Sequence, residues 1–158
     1  KLMPLDYVGD YDRSLWIDAN LQLKVKPSTV FGVIPAKKQM AMLRHPVHDC
    51  VYEEMAACAE LGGHYSDRLD KAMGLLAEEE FPRKWGLKQG GFIARQHTED
   101  VEVFCKVWFD ICKKVTWRDQ IVFPYLLRSI MPEFGLNRLF TFTNPGSDFF
   151  RRKDHKDG

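Results

Sequence analysis

The segment from Thr98 to Val115 constrains the fold more than any other part of the chain. Val101, Phe104, Cys105, Trp108, Ile111, Cys112 and Val115 recur with a period of about 3.6 residues, the pattern of a helix with one wide apolar stripe. Thr98 stands where a cap is needed, Glu99 and Asp100 fall in the first turn, and Lys113 and Lys114 fall in the last, each matching the helix dipole. A stripe holding a Phe and a Trp must be buried against a sheet or other helices, so this helix implies a layered domain with a real core.

Around it, short strand and helix patterns alternate. Ser14 to Ile17 is an apolar run that reads as a buried strand entering the polar turn Asp18-Ala19-Asn20, and Leu21, Leu23 and Val25 alternate with Gln22 and Lys24 as a half-exposed strand. Pro27 opens a loop or short helix that ends near Pro35. Met40 to Leu43 reads as a further strand. Helices are expected over Val51 to Leu61, with Asp49 as cap, and over Ser66 to Glu79, with Ser66 as cap. Gly90-Gly91 precedes a strand at Phe92 to Ala94, Arg118-Asp119-Gln120 starts a helical stretch that Pro124 kinks or restarts, and Leu139 to Phe142 is a late strand. Alternation of this kind argues for an α/β domain with a mixed sheet, read as one domain over residues 1–158 with a basic tail at 146–158.

Bulk properties exclude several classes. The net charge of +1 gives no global field for nucleic acid, and no run of eighteen apolar residues suggests a membrane span. Cys50, Cys58, Cys105 and Cys112 show no CxxC spacing; Cys58, Cys105 and Cys112 fall on apolar helical faces, so we read them as reduced core residues in a reducing compartment. The expectation is a cytoplasmic protein, or one peripheral at a membrane. The chain begins at Lys1 without Met or signal peptide, and reads as a fragment.

Four groups of residues could carry chemistry. Trp16-Ile17-Asp18-Ala19-Asn20 delivers two oxygen-bearing side chains to the end of a strand, where a Mg²⁺ or Mn²⁺ bridging to phosphate would find them; the plain alternative is an Asx turn. His45-Pro46-Val47-His48-Asp49, followed by Glu53 and Glu54, is dense enough for a transition metal, although a polar cap and pocket wall is the favoured reading. Trp117-Arg118-Asp119-Gln120 could hold or deprotonate an acceptor hydroxyl, or be a capping Asp with an ion-pairing Arg. The basic run Arg151, Arg152, Lys153, His155 and Lys156 matters only if it folds back over a bound diphosphate; otherwise it is a solvated tail.

Taken in order, the segments Trp16 to Asn20, His45-Pro46 with Asp49 to Glu54, Phe81-Pro82, Gly86-Leu87, and Arg118-Asp119-Gln120 with Phe123-Pro124-Tyr125 resemble the TOD/MUCI type of glycosyltransferase-like domain, from about Tyr11 to Tyr125. The resemblance implies a GT-A, Rossmann-like fold and transfer of a sugar from a nucleoside-diphosphate sugar donor to a glycan acceptor. It puts Asp18-Ala19-Asn20 where such enzymes carry an Asp-x-Asp metal motif, with Asn20 in place of the second carboxylate and Mn²⁺ or Mg²⁺ as cofactor. It makes His155 the candidate C-terminal metal ligand and brings Asp119 and Gln120 into the active site, Asp119 as the acceptor-side carboxylate.

Within that reading, Gln120, Arg118, His48 and Asp49 would contact sugar, Gly90 and Gly91 would let a ligand approach the backbone, and Arg151 and Arg152 would face the diphosphate. Trp85 and Trp117 are expected in the core rather than as sugar platforms. A GT-A domain usually opens with a βαβ unit that holds base and ribose. This chain starts just before the metal motif, so the expectation is the metal-motif and acceptor-side half, with a missing N-terminal half as partner. The rival readings are a non-catalytic glycan-binding pseudoenzyme, a structural piece of a larger transferase, and a metal-dependent hydrolase built on His45, His48 and Asp49.

Overall fold

Met40–Arg44 forms the strand around which the molecule is organised, β3 in a computed structural model that describes residues 1–142 and 149–153. Its side chains alternate with period two: Met40 and Met42 enter one core, Ala41 and Leu43 the other, and none of the four is exposed. A strand apolar on both faces can only be interior. The first strand is β1 (Arg13–Ile17), and β4 (Lys88–Gln96) and β5 (Leu139–Phe142) complete a four-stranded sheet of order β1-β4-β3-β5. β4 runs antiparallel to β1 and β3, and β5 runs parallel to β3. β1, β3 and β5 therefore point the same way, and their carboxyl ends share one edge with the beginning of β4.

One face of the sheet is covered by the amphipathic helix, which spans Glu99–Lys114. Thr98 caps it by accepting a hydrogen bond from the Val101 amide at 3.4 Å. Five residues of the stripe are fully buried, and Trp108 packs its ring on Phe123 with 4.6 Å between centroids. Truncating a ring so enclosed costs about 3–5 kcal/mol. The Trp108 indole N–H also donates to the backbone carbonyl of Asp119 at 3.0 Å, pinning the start of the helix Asp119–Tyr125. That helix packs in turn on Val51–Leu61 and Leu69–Glu78 in a second core cluster. The opposite face of the sheet is covered by Pro27–Gly32 and by a two-stranded ribbon of β2 (Leu21–Leu23) and β6 (Phe150–Arg152). In chain order the helices are α1 (Leu5–Val8), α2 (Pro27–Gly32), α3 (Val51–Leu61), α4 (Leu69–Glu78), α5 (Glu99–Lys114), α6 (Asp119–Tyr125) and α7 (Pro132–Asn137).

The α/β class with a mixed sheet is the one implied by the alternation of patterns, and several local expectations are corrected. Cys50, not Asp49, occupies the N-cap of α3. Ser66 ends a 3₁₀ turn at Gly63–Ser66, donating to the Gly63 carbonyl at 2.9 Å, and α4 starts only after Arg68; Gly62 and Gly63, both at positive φ, break any longer helix. Gly90 and Gly91 lie inside β4 rather than before it. β1 is an edge strand and only partly buried. Trp85 and Trp117 are surface residues, 41% and 55% exposed, not core. Pro124 sits within α6, and the chain continues as a π-helical segment at Leu126–Ile130, the accommodation expected where a proline has removed a ladder donor. The basic tail is in part a strand: Arg151 pairs with Gln22 and Arg152 with Leu21. Among the described residues no helix is long and apolar enough to cross a membrane.

Candidate functional site

The pairing of β3 with β4 jumps from Met42 opposite Ile93 to Leu43 opposite Gln89, so Gly90, Gly91 and Phe92 have no β3 partner. This irregularity lies at the shared carboxyl edge of the parallel strands, the usual place for ligands in open α/β sheets. It releases the Gly90 N–H from the ladder, and the side-chain carbonyl of Gln120 accepts it at 3.1 Å. On the β1 side, the Asp18 N–H donates to the Gly91 carbonyl at 2.9 Å, which carries the turn of Asp18 against the same backbone.

Two carboxylates close on these glycines. A Cβ at Gly91 would stand 2.9 Å from Asp18 Oδ2, and one at Gly90 would stand 3.0 Å from Asp119 Oδ2. The groups that approach the Gly-Gly step are the chain's own Asp18, Asp119 and Lys1, whose Nζ would stand 2.9 Å from a Cβ at Gly90. Asp18 Oδ1 accepts the Trp16 indole N–H at 2.8 Å. Asp119 Oδ2 pairs with the Lys1 ammonium, and its Oδ1 accepts the Gln120 backbone N–H at 3.0 Å.

Behind them lies a carboxylate that the sequence reading met only as part of the His- and Glu-rich segment, with no role of its own. Glu54 is only 7% exposed, one turn into α3 on the face shared with Val51, Met55 and Cys58. Its Oε1 accepts from Gln120 Nε2 at 2.7 Å and lies 3.8 Å from Arg118 Nη2; its Oε2 is 2.8 Å from His48 Nδ1 and 3.5 Å from His45 Nε2. A buried carboxylate requires that density of donors. The result is one continuous polar network, from the two histidines through Glu54 and Gln120 to Gly90. The signal in the sequence was a Glu on the apolar face of a helix, four residues before Cys58.

Arg118, Asp119, Gln120, His48, Gly90 and Gly91 are thus brought together, with Asp18 beside them. Asp49 lies outside the Glu54 network but lines, with Arg44, His45, His48 and Lys84, a cleft of about 480 Å³. Asn20 is tied to the returning chain by its backbone: the Lys153 N–H donates to its carbonyl at 2.8 Å. The chain therefore does fold back beside the Asp18 turn, although the Arg151 guanidinium is engaged by Gln22 at 2.8 Å. His155 lies outside the described residues.

One group of side chains among the described residues could hold a metal ion. His45, His48 and Glu54 offer three ligand-capable atoms within 4.8 Å of one another, a nitrogen and oxygen set suited to zinc. Asp49 is not part of that set. His45 Nδ1 accepts the backbone N–H of His48 at 2.8 Å, so a neutral His45 carries its proton on Nε2, the atom that faces Glu54. A metal there would have to replace that proton, and the wiring as it stands is that of a hydrogen-bonded clamp.

No curated protein and no solved structure matches the chain. A family model does: the TOD1/MUCI70 glycosyltransferase-like domain matches residues 8–152, which takes in every element of the network except Lys1. The chain belongs to the TOD1/MUCI70 family of glycosyltransferase-like domains.

Proposed function

We propose that the chain is the metal-motif and acceptor-side part of a GT-A-type glycosyltransferase, moving a sugar from a nucleoside-diphosphate sugar to a glycan hydroxyl. The observation that carries this reading is the convergence of Asp18 and Asp119 on the Gly90-Gly91 step, at the carboxyl edge of three parallel strands. Asp18 and Asn20, with His155, would hold a Mn²⁺ or Mg²⁺ ion. When bound, such an ion neutralises charge on a departing diphosphate.

The rest is work for the chain's own groups. Trp16 fixes the Asp18 carboxylate by its indole N–H, with Oδ2 lying over Gly91. Asp119 would receive or orient the acceptor hydroxyl, exchanging its contact with Lys1 for that hydroxyl. Gln120 is locked at both ends of its amide, by Gly90 and by Glu54, and has a second N–H to offer a sugar oxygen. His48, oriented through Nδ1 by Glu54, lines the adjoining cleft together with Asp49, and the two would contact sugar there. Arg151 and Arg152 would add positive charge on the diphosphate side. A hydrolase built on His45, His48 and Asp49 is the weaker reading, because Asp49 stands outside the cluster and the His45 Nδ1 is already occupied as acceptor of the His48 backbone N–H.

Calorimetric titration of UDP and GDP, with and without Mn²⁺, tests the assignment. Binding that requires the metal and is lost in Asp18→Ala is expected. Retention of full metal-dependent binding by Asp18→Ala would remove the metal assignment, and glycan binding indifferent to both metal and nucleotide would favour a non-catalytic glycan-binding role.

A further inference from the structure

Arg44 and Lys88 have no role in the network above. They stand directly opposite each other, Arg44 as the last residue of β3 and Lys88 as the first of β4, at the carboxyl edge of the parallel strands. Residues paired in this way project from the same face of a sheet, and like charges there destabilise it. Among the described residues neither side chain makes a hydrogen bond or an ion pair. Arg44 is exposed and solvated, but Lys88 is partly buried, and burial and Arg44 together disfavour its charge. Departures from local rules concentrate where a protein has a function to serve. An anion between the two cations would turn this repulsion into attraction.

Lys88 lines a cavity of about 320 Å³ with Trp85, Arg128, Leu136 and Thr141, and its unpartnered ammonium is open to solvent. No carboxylate among the described residues lines this cavity, whereas two cations do. Its volume is at the small end of the range for ligand sites. Arg128 spends one N–H on the Glu79 carbonyl, at 3.5 Å, and keeps its other donors. Trp85 stands edge-on to Phe81, with 5.8 Å between centroids, on a loop that passes through Lys84 and Gly86, both at positive φ. A residue other than glycine in that conformation is a strain that ligand-binding loops often carry. On its other side Arg44 borders the neighbouring cleft, where Lys84 is a further cation and Asp49 and Glu53 are the acids; neither acid pairs with Arg44.

We propose that Arg44 and Lys88, with Arg128 as a third cation, form a phosphate site, and that Trp85 takes the ring of a phosphorylated sugar beside it. An ammonium offers a point charge and a guanidinium a planar fork, and both suit phosphate oxygens. A group of cations matches a doubly charged phosphate better than a singly charged carboxylate. The exposed indole offers a flat apolar surface to the sugar ring. The site uses none of the residues assigned above to the metal or to the acceptor, and it does not rest on the transferase reading.

Calorimetric titration of glucose, inorganic phosphate and glucose 1-phosphate into the chain, at constant ionic strength with EDTA present, tests the site. Glucose 1-phosphate should bind at least tenfold more tightly than glucose and more tightly than inorganic phosphate. Lys88→Met, which relieves a burial penalty and so should fold, should bring glucose 1-phosphate down to the level of glucose. Arg44→Met, at an exposed position, should weaken it at least fivefold. Trp85→Ala should weaken glucose 1-phosphate and leave inorganic phosphate unchanged. The proposal is overturned if glucose 1-phosphate binds no more tightly than glucose, or if Lys88→Met binds it as well as the wild type. Inorganic phosphate that binds as tightly as the sugar phosphate would overturn the role of Trp85. Because no metal or nucleotide is used, failure here leaves the Asp18 titration intact, and failure there leaves this one intact.

Discussion

Replacing Gly91 by Ala should change sign with the residue at position 18. In a strand interior, Ala is favoured over Gly by about 0.5–1 kcal/mol, because Gly loses more freedom on folding. The backbone at Gly91 is not at positive φ, so Ala meets no conformational penalty there. It does meet Asp18: its Cβ would lie 2.9 Å from Oδ2 and 3.3 Å from Cγ, where ordinary contact begins at 3.4 Å. The carboxylate must therefore retreat by about 0.5 Å, against the Trp16 hydrogen bond that holds its other oxygen at 2.8 Å, a cost of about 1–3 kcal/mol.

Gly91→Ala should thus destabilise the wild type by up to about 2 kcal/mol and stabilise Asp18→Ala by about 0.5–1 kcal/mol. Urea unfolding of the four proteins of the cycle, with unchanged m-values, gives the coupling directly. An equal effect in both backgrounds would mean that Asp18 does not stand over Gly91, and the site as described here would be wrong.

Glu54→Ala should cost about 3–5 kcal/mol, because it strands His48, Gln120 and Arg118 around a missing carboxylate, and Glu54→Gln should cost distinctly less; equilibrium unfolding that shows no loss for the alanine variant contradicts a buried hub. All four cysteines are free and buried, and burial pushes the Cys112 thiol up to about 12, so Ellman's reagent at pH 8 should count no thiols in the folded chain and four in urea. Burial, with Arg44 second, lowers Lys88 below its ordinary 10.5, so folding disfavours its charged form. That penalty is full below the lowered value and is relieved as pH rises from there toward 10.5. Lys88→Met should therefore be more stable than the wild type at pH 7 and should lack the alkaline rise; a less stable variant at pH 7 refutes the burial argument.

Much of the architecture is readable in local patterns. The stripe from Val101 to Val115 specified both a helix and the side it would bury, and the run Met40 to Leu43 specified a strand apolar on both faces. Period and composition suffice there because each residue's preference depends on its own neighbours in the chain. Asp18 at the end of β1 and Asp119 at the start of α6 were legible for the same reason: both stand where an apolar pattern stops.

Other features depend on which segments meet. Glu54 stands in the sequence as one of several acidic residues after His45 and His48, and becomes a hub only because α6 brings Gln120 and Arg118 onto it. Arg95 follows Ala94, where the apolar strand pattern ends, and its burial comes from β1 beside it and Cys105 of α5 against it. The Gly90-Gly91 pair signals a permissive backbone, but not that pairing across β3 would break there. The basic segment at Arg151 and Arg152 reads as solvated until Leu21 and Gln22, far away in the chain, supply its partner strand. Local sequence determined what each segment could be and which face it would bury; register and long-range contact, which no single segment encodes, decided which charged groups were brought together into a site.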